Sequence, residues 1–274
     1  MKAMAAAIEA IEAEAWAQLH AAIPTVYRAA IGSVARHYGP ALSLVTPGVD
    51  EAALNRTIGL GFETPLDAAW LASINAAYLA AGCKRWMVEW APDGSPSDGV
   101  ELITAAGATE RSPTLKLYGD LHSSVTPRTQ SDHTIEEIHA SRRELFRSKI
   151  ADALGTTDEM MPVIGGTLGK QGWHHYLAFR EERAVAGALM FVQGSGAWLG
   201  FGGTVLGERN RGAQSALIAR RLADARKLGC KWVTAETGHG TLTETGASLR
   251  NLERAGVTMA YLRRRFLQEG TLSL

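Results

Sequence analysis

The stretch Thr204-Val205-Leu206-Gly207-Glu208-Arg209-Asn210-Arg211-Gly212-Ala213-Gln214-Ser215-Ala216-Leu217 carries the most chemistry in the chain. It reads as a strand end, a turn and the first turn of a helix. At such a junction several backbone N–H groups lack intrahelical partners, and the helix dipole is positive. Gly212 lets the backbone approach a bulky anion, while Arg209 and Arg211 add positive charge, so the segment can cradle a phosphate through its main chain. An ordinary strand-to-helix turn with solvated arginines has the same pattern. Two better-known phosphate motifs fail. Around Gly165-Gly166-Thr167-Leu168-Gly169-Lys170, a Walker A loop would need Gly where Ile164 stands and Ser or Thr where Gln171 stands. No Gly-x-Gly-x-x-Gly opens a helix after a strand, which argues against a Rossmann dinucleotide site.

The elements that position this turn belong to an internal repeat. Gly82-Cys83-Lys84-Arg85-Trp86-Met87-Val88-Glu89 echoes Gly229-Cys230-Lys231-Trp232-Val233-Thr234-Ala235-Glu236, 147 residues later. Each copy follows a helix-patterned stretch, Leu66–Ala81 and Gln214–Leu228, and each helix follows a glycine-bearing apolar run. Downstream, Ala106-Gly107-Ala108-Thr109 is matched by Ala255-Gly256-Val257-Thr258 at an offset of 149. Three landmarks in one order at nearly one offset make the chain two copies of an α/β unit, 1–125 and 135–274. The polar segment between them includes a linker at 126–134.

In the second copy, apolar positions at Ile135, Ile138, Leu145, Phe146 and Ile150 predict a helix over Ile135–Leu154. Gly172–Glu181, Ala184–Gln193 and Ala197–Leu206 read as three strands joined by short turns, hence antiparallel neighbours. A helix (Gly212–Leu228), a strand (Lys231–Thr237), a short helix (Leu249–Ala255) and a last strand (Val257–Phe266) follow. The passage from Ala197 to Thr237 is a parallel crossover, so the sheet is mixed.

The order of these elements, with Arg209-x-x-Gly212-Ala213, Gly229-Cys230, Glu236-Thr237-Gly238, Arg250-Asn251 and Ala255-Gly256, resembles the GCN5-related N-acetyltransferases, and within them a bacterial tandem-domain subgroup. The resemblance covers residues 135–268 well and the first copy more faintly. It implies two tandem acyl-CoA N-acyltransferase domains, each a mixed, mostly antiparallel sheet flanked by helices. It also implies acetyl-CoA as cosubstrate. Main-chain groups of Val205 and Leu206 would pair with the pantetheine arm, and backbone N–H groups of Arg211, Gly212, Ala213, Gln214 and Ser215 would hold the pyrophosphate. Arg209 adds charge, and Asn251 would reach the pantetheine. Gln214 departs from the family, which prefers Gly or Ala there.

Acetyl transfer to an amine needs a neutral nucleophile, a stabilised oxyanion and a protonated leaving thiolate. Many relatives carry a tyrosine on the helix before the Ala-Gly turn; here that helix has none, with Leu249 and Leu252 at the corresponding places. The candidates left are Glu236 as base or amine-binding group at the carboxyl end of the crossover strand, and Tyr261 and Ser248 as hydroxyl donors. Packed strand residue and helix N-cap are the structural alternatives for the last two. The first copy has Glu63-Thr64-Pro65-Leu66-Asp67 at the cradle, without arginine or glycine. It reads as a degenerate domain without acetyl-CoA, its helix starting at Thr64-Pro65.

Composition bounds what remains. The 274 residues carry 28 Lys+Arg against 28 Asp+Glu, with 46% hydrophobic residues. Such a chain folds rather than staying disordered, and its neutrality argues against nucleic-acid or acidic-membrane binding. Two cysteines, Cys83 and Cys230, form no cysteine-rich zinc site. His174 and His175 alternate along a strand, so no metal site is expected. Glu9, Glu12 and Glu14 interrupt the early apolar run, which predicts an amphipathic helix over 4–22 and no secretory signal, and hence a cytoplasmic protein. The expected partner is a small-molecule or peptide amine, in a monomer or homodimer. The function expected is N-acetyl transfer in a ternary complex, and the alternative is a non-catalytic acyl-CoA sensor or scaffold.

Overall fold

The computed structural model describes residues 2–123, 131–156, 158–238 and 246–270. Most of the expected linker lies outside them. The chain forms two compact units, Met1–Leu115 with Tyr261–Leu274, and Lys116–Ala260. These units divide elsewhere than the two sequence copies. The end of the first copy's last strand, β5 (Thr109–Asp120), belongs to the second unit, and most of the chain's final strand, β11 (Thr258–Glu269), belongs to the first.

The first unit contains α1 (Lys2–Ala21), α2 (Thr25–Ala30), β1 (Val34–Tyr38), β2 (Ala41–Val45), β3 (Arg56–Ile58), α3 (Ala68–Ala81), β4 (Arg85–Trp90) and α4 (Gly99–Ala105). Its sheet runs β1-β2-β3-β4-β11, with β3 and β4 parallel and the other neighbours antiparallel. Leu71, Ile74, Tyr78, Trp86, Val88, Ile103 and Phe266 form its core, where the Tyr78 and Trp86 rings stack at 5.0 Å. Against expectation, α3 is capped by Asp67, whose carboxylate accepts from the Trp70 N–H at 2.7 Å. A short acidic side chain bonding back to the third helical N–H outcompetes the Thr64-Pro65 start.

The second unit continues with β6 (His133–Glu137), α5 (Arg143–Leu154), α6 (Met161–Gly165), β7 (Trp173–Arg180), β8 (Arg183–Gln193), β9 (Gly196–Thr204), α7 (Ala213–Lys227), β10 (Trp232–Gly238) and α8 (Gly246–Arg254). Its sheet order is β5-β10-β9-β8-β7-β6, with β9 and β10 parallel. The three expected hairpin strands are present. The helix expected over 135–154 begins only at Arg143, because residues 133–137 pair antiparallel with β7, His133 opposite Arg180 and Glu137 opposite Tyr176. An edge strand with one partner leaves a weak alternation that helical spacing imitates. A Cβ on Gly203 would meet Ala153 of α5 at 2.9 Å, and one on Gly202 would lie 3.3 Å from Arg221 of α7. The two helices therefore cover opposite faces of the sheet.

The repeat is visible as geometry. Gly82 and Gly229 both end their helices in the left-handed conformation, φ 84° and 83°. In each, the following cysteine N–H reaches back into the last turn, Cys83 to Tyr78 O and Cys230 to Ala225 O, both at 3.0 Å. This Schellman closure requires a residue without Cβ penalty and turns the chain straight into the next strand. Both cysteines are buried and free, with thiols raised by desolvation.

Candidate functional site

The site follows from where β9 leaves β10. Their parallel ladder runs from Gly196↔Trp232 to Leu199↔Ala235 and stops, although β9 continues to Thr204 and β10 to Gly238. At the same point β9 bulges against β8: Gly187 faces Gly203 but Leu189 faces Gly200, and Phe201 has φ 46°. A bulge bends its strand and increases local twist, which carries β9 away from its neighbour. Beneath it lies Arg221, fully buried on α7. It donates to Leu189 O at 3.0 Å, Gly200 O at 3.5 Å and Leu217 O at 3.3 Å. Burial lowers this guanidinium to about 10, and the carbonyls freed around the bulge are what hold it.

Beyond the gap the chain makes the turn expected to bind phosphate. Asn210 (φ 63°) and Gly212 (φ 85°) are both left-handed, and Gly212 caps α7 without a side-chain cap, so that among the described residues no side chain bonds to the first-turn N–H groups. The amides of Ala213, Gln214 and Ser215 thus emerge at an uncapped, positive helix end, which suits the oxygens of a pyrophosphate. Arg211 is exposed; Arg209 folds back, its Nε donating to Thr204 O at 3.3 Å. The α3 end of the first unit differs, since the Asp67 carboxylate already occupies it.

Four of the sequence candidates meet in one network. Gln214 Nε2 donates to Ser248 Oγ at 3.3 Å and Asn251 Nδ2 to Gln214 Oε1 at 3.2 Å, while Ser215 Oγ donates to Asn251 Oδ1 at 3.2 Å. Gln214 therefore ties the start of α7 to α8. Ser248 lies inside the first turn of α8, which begins at Gly246, and so is not its N-cap. Val205 N–H donates to Val185 O of β8 at 3.0 Å, and Leu206 O accepts from Arg209 N–H within the loop at 3.4 Å. The strand ends at Thr204, so the separated edge lies one step earlier, along Gly200–Thr204. Tyr261 stands in the first unit, buried, its hydroxyl donating to Glu9 at 2.6 Å.

Glu236 sits immediately past the last paired residue of β10, its side chain one-quarter exposed. Lys116 of β5, completely buried, donates to its Oε2 at 3.4 Å. Sequence reading missed Lys116, although the repeat marks it: Arg265 lies 149 residues on and stands 3.6 Å from Glu89, the counterpart of Glu236. In the first unit the carboxylate of this pair is sealed. Glu89 is 1% exposed and also bound by Arg56 at 3.3 Å and Arg263 at 2.7 Å. Arg263 and Arg56 in turn hold Glu12, and Arg263 holds Glu9, at 3.1–3.2 Å.

No family model and no curated protein matches the sequence. Solved structures do. A GCN5-related N-acetyltransferase from Kribbella flavida matches with a TM-score of 0.68 over 96% of both chains at 18% identity. A GCN5-related N-acetyltransferase from Sphaerobacter thermophilus matches at 0.61 over 95% of this chain and 93% of the other, at 15% identity. A tandem GNAT protein from the clavulanic acid biosynthesis pathway matches at 0.55 over 73% and 69%, at 10% identity. The chain has the GCN5-related N-acetyltransferase fold. The uncapped, left-handed start of α7 offers main-chain N–H groups that fit the oxygens of a pyrophosphate. Among the described residues, no group of three His, Cys, Asp or Glu side chains could hold a metal ion, and no helix is long and apolar enough to cross a membrane.

Proposed function

We propose that the second unit is an acetyl-CoA-dependent N-acetyltransferase that transfers the acetyl group to an amine by direct attack in a ternary complex. The observation that carries this reading is the coincidence of two features. The gap opening after Leu199 and Ala235 and the uncapped, glycine-started end of α7 follow one another within a dozen residues. A thioester threaded along the Gly200–Thr204 edge brings its pyrophosphate to the Ala213–Ser215 amides, and acetyl-CoA supplies the activated acyl group.

The chain's own residues then have separate tasks. Glu236 accepts the proton that the attacking amine loses, and Lys116 holds that carboxylate in place. Ser248 is the only hydroxyl on α8; with Gln214 donating to its oxygen, its O–H is oriented to donate to the departing sulfur. Asn251 holds Gln214 and Ser215 where their amides are needed. The first unit serves without acetyl-CoA, since Asp67 closes its helix end and Glu89 is sealed by arginines.

Thiol release from acetyl-CoA with a panel of primary amines, small and peptidic, tests the reading. Amine-dependent release that falls in Glu236→Gln supports it. Tight acetyl-CoA binding with no release for any amine supports the sensor reading instead, which the tyrosine-free α8 favours.

A further inference from the structure

The first unit holds a cavity of about 520 Å³ between α3 and α4, a volume that suits a small organic molecule. On the α3 side, Ala68, Ala72 and Ala76 recur every fourth residue and so form one row along the helix. Between Asp67 and Lys84 the chain carries no charged residue, yet only Leu71, Ile74 and Tyr78 of α3 are buried. A helix without a charged face normally packs on every side, so the alanine row lacks its covering. Leu102 and Ala105 of α4 form the opposite wall. The floor is the sheet, where Trp86 of β4 and Gln268 of β11 are direct antiparallel partners and share one face.

That floor is rigid and holds one unused acceptor. Trp86 is fixed twice, by its ring stacked on Tyr78 and by its Nε1–H, which donates to Asn75 Oδ1 at 2.9 Å. Gln268 Oε1 is buried with no hydrogen-bond partner, a costly state unless a bound molecule brings a donor. An aliphatic chain would leave that oxygen unpaired. No lysine or arginine lines the cavity, so nothing there receives a phosphate or a carboxylate. Its one carboxylate, Glu269, stands opposite Arg85 on β4, which answers its charge, so nothing calls for an ammonium either. Walls of alanine are shallow and flat, which suits a planar ring. We propose that this cavity binds a small, uncharged heteroaromatic molecule whose ring N–H is donated to Gln268 Oε1. The site lies wholly within the first unit and does not depend on the acyl-CoA reading.

Indole, and benzofuran with oxygen in place of the N–H, test it as probes titrated into the isotope-labelled full chain. The NMR resonance of the Trp86 indole N–H, assigned through backbone connectivities, reports on the floor. Indole should shift it saturably and bind about fivefold more tightly than benzofuran, the worth of one neutral hydrogen bond. In Gln268→Leu the two probes should bind equally, with benzofuran no weaker than before. Ala72 is exposed, so Ala72→Phe should keep its fold, which its melting curve checks, and should abolish both shifts by filling the cavity. The wild-type ratio stands independently of either variant. Absence of a saturable shift, or equal affinity of the wild type for the two probes, overturns the proposal. So does an undiminished preference for indole in a folded Gln268→Leu. A wild type that sediments as a dimer and becomes monomeric in Ala72→Phe overturns it as well, because a second copy then covers the alanine row.

Discussion

The ammonium of Lys116, with no exposed surface, lies 3.4 Å from the Glu236 carboxylate at the point where β10 loses its partner β9. One member is sealed in the sheet and the other reaches the gap, so the pair links the interior of the second unit to the site. Replacing Lys116 by Met should lower turnover and leave acetyl-CoA affinity within about twofold, because the lysine touches the base and not the phosphate turn. Unchanged turnover in a folded Lys116→Met variant would separate the lysine from the reaction.

Glu236→Gln keeps the shape and removes the proton acceptor. A positioned general base contributes about 10²–10⁴-fold, so kcat should fall by that order with KM for acetyl-CoA unaffected. Steady-state kinetics with the best amine from the panel measures both. A rate within about twofold of wild type would show that solvent takes the proton.

In the first unit Arg263 is the centre of a buried ion cluster, bound to Glu9, Glu12 and Glu89. Removing one partner of such a group leaves buried charge uncompensated, which costs about 3–5 kcal/mol. Urea unfolding of Arg263→Met should show a loss of that size. A change below about 1 kcal/mol would mean that water reaches the cluster and solvates the glutamates.

Two histidines give the stability a pH signature. Burial lowers His20 to about 4 and His175 to about 3, from an ordinary value of 6.5. Between 6.5 and those values the unfolded chain binds protons that the folded chain does not. Stability is therefore full above pH 6.5, falls as pH drops towards 4 for His20 and towards 3 for His175, and stops falling from this source once both states are protonated. Urea midpoints at pH 7, 5.5 and 4.5 should decline, and His20→Gln should flatten part of the slope. A wild-type stability that rises on acidification would contradict it.

The repeat, the three hairpin strands and the α7 turn were legible in the sequence because each rests on local pattern: glycine at a helix end, alternation along a strand, or turn residues between runs. The gap between β9 and β10 was not, since it depends on a bulge at Phe201-Gly202 and on a buried Arg221, neither of which alters the hydrophobic period. Glu9 and Glu12 interrupt the apolar run of α1 in the sequence; the structure buries them against Arg263 and Arg56, carried by strands far along the chain. The last strand illustrates the same limit. Its residues read as part of the second copy, yet from Tyr261 onward they belong to the first unit and from Arg264 onward they pair with β4, a choice made by tertiary pairing that strand propensity cannot express. Tyr261, a candidate acid by proximity in sequence, is drawn away with it to Glu9.

Gly212 has φ 85°, which costs an L side chain about 1–2 kcal/mol, and a carboxylate there would also meet the phosphates. The most direct measurement is therefore calorimetric titration of acetyl-CoA into the wild-type chain and into an Arg209→Glu, Gly212→Glu double variant. Saturable binding by the wild type, lost in a double variant that retains its circular dichroism, is the result predicted for an acetyl-CoA site built on the α7 turn. No binding by the wild type, or undiminished binding by the folded variant, would contradict it.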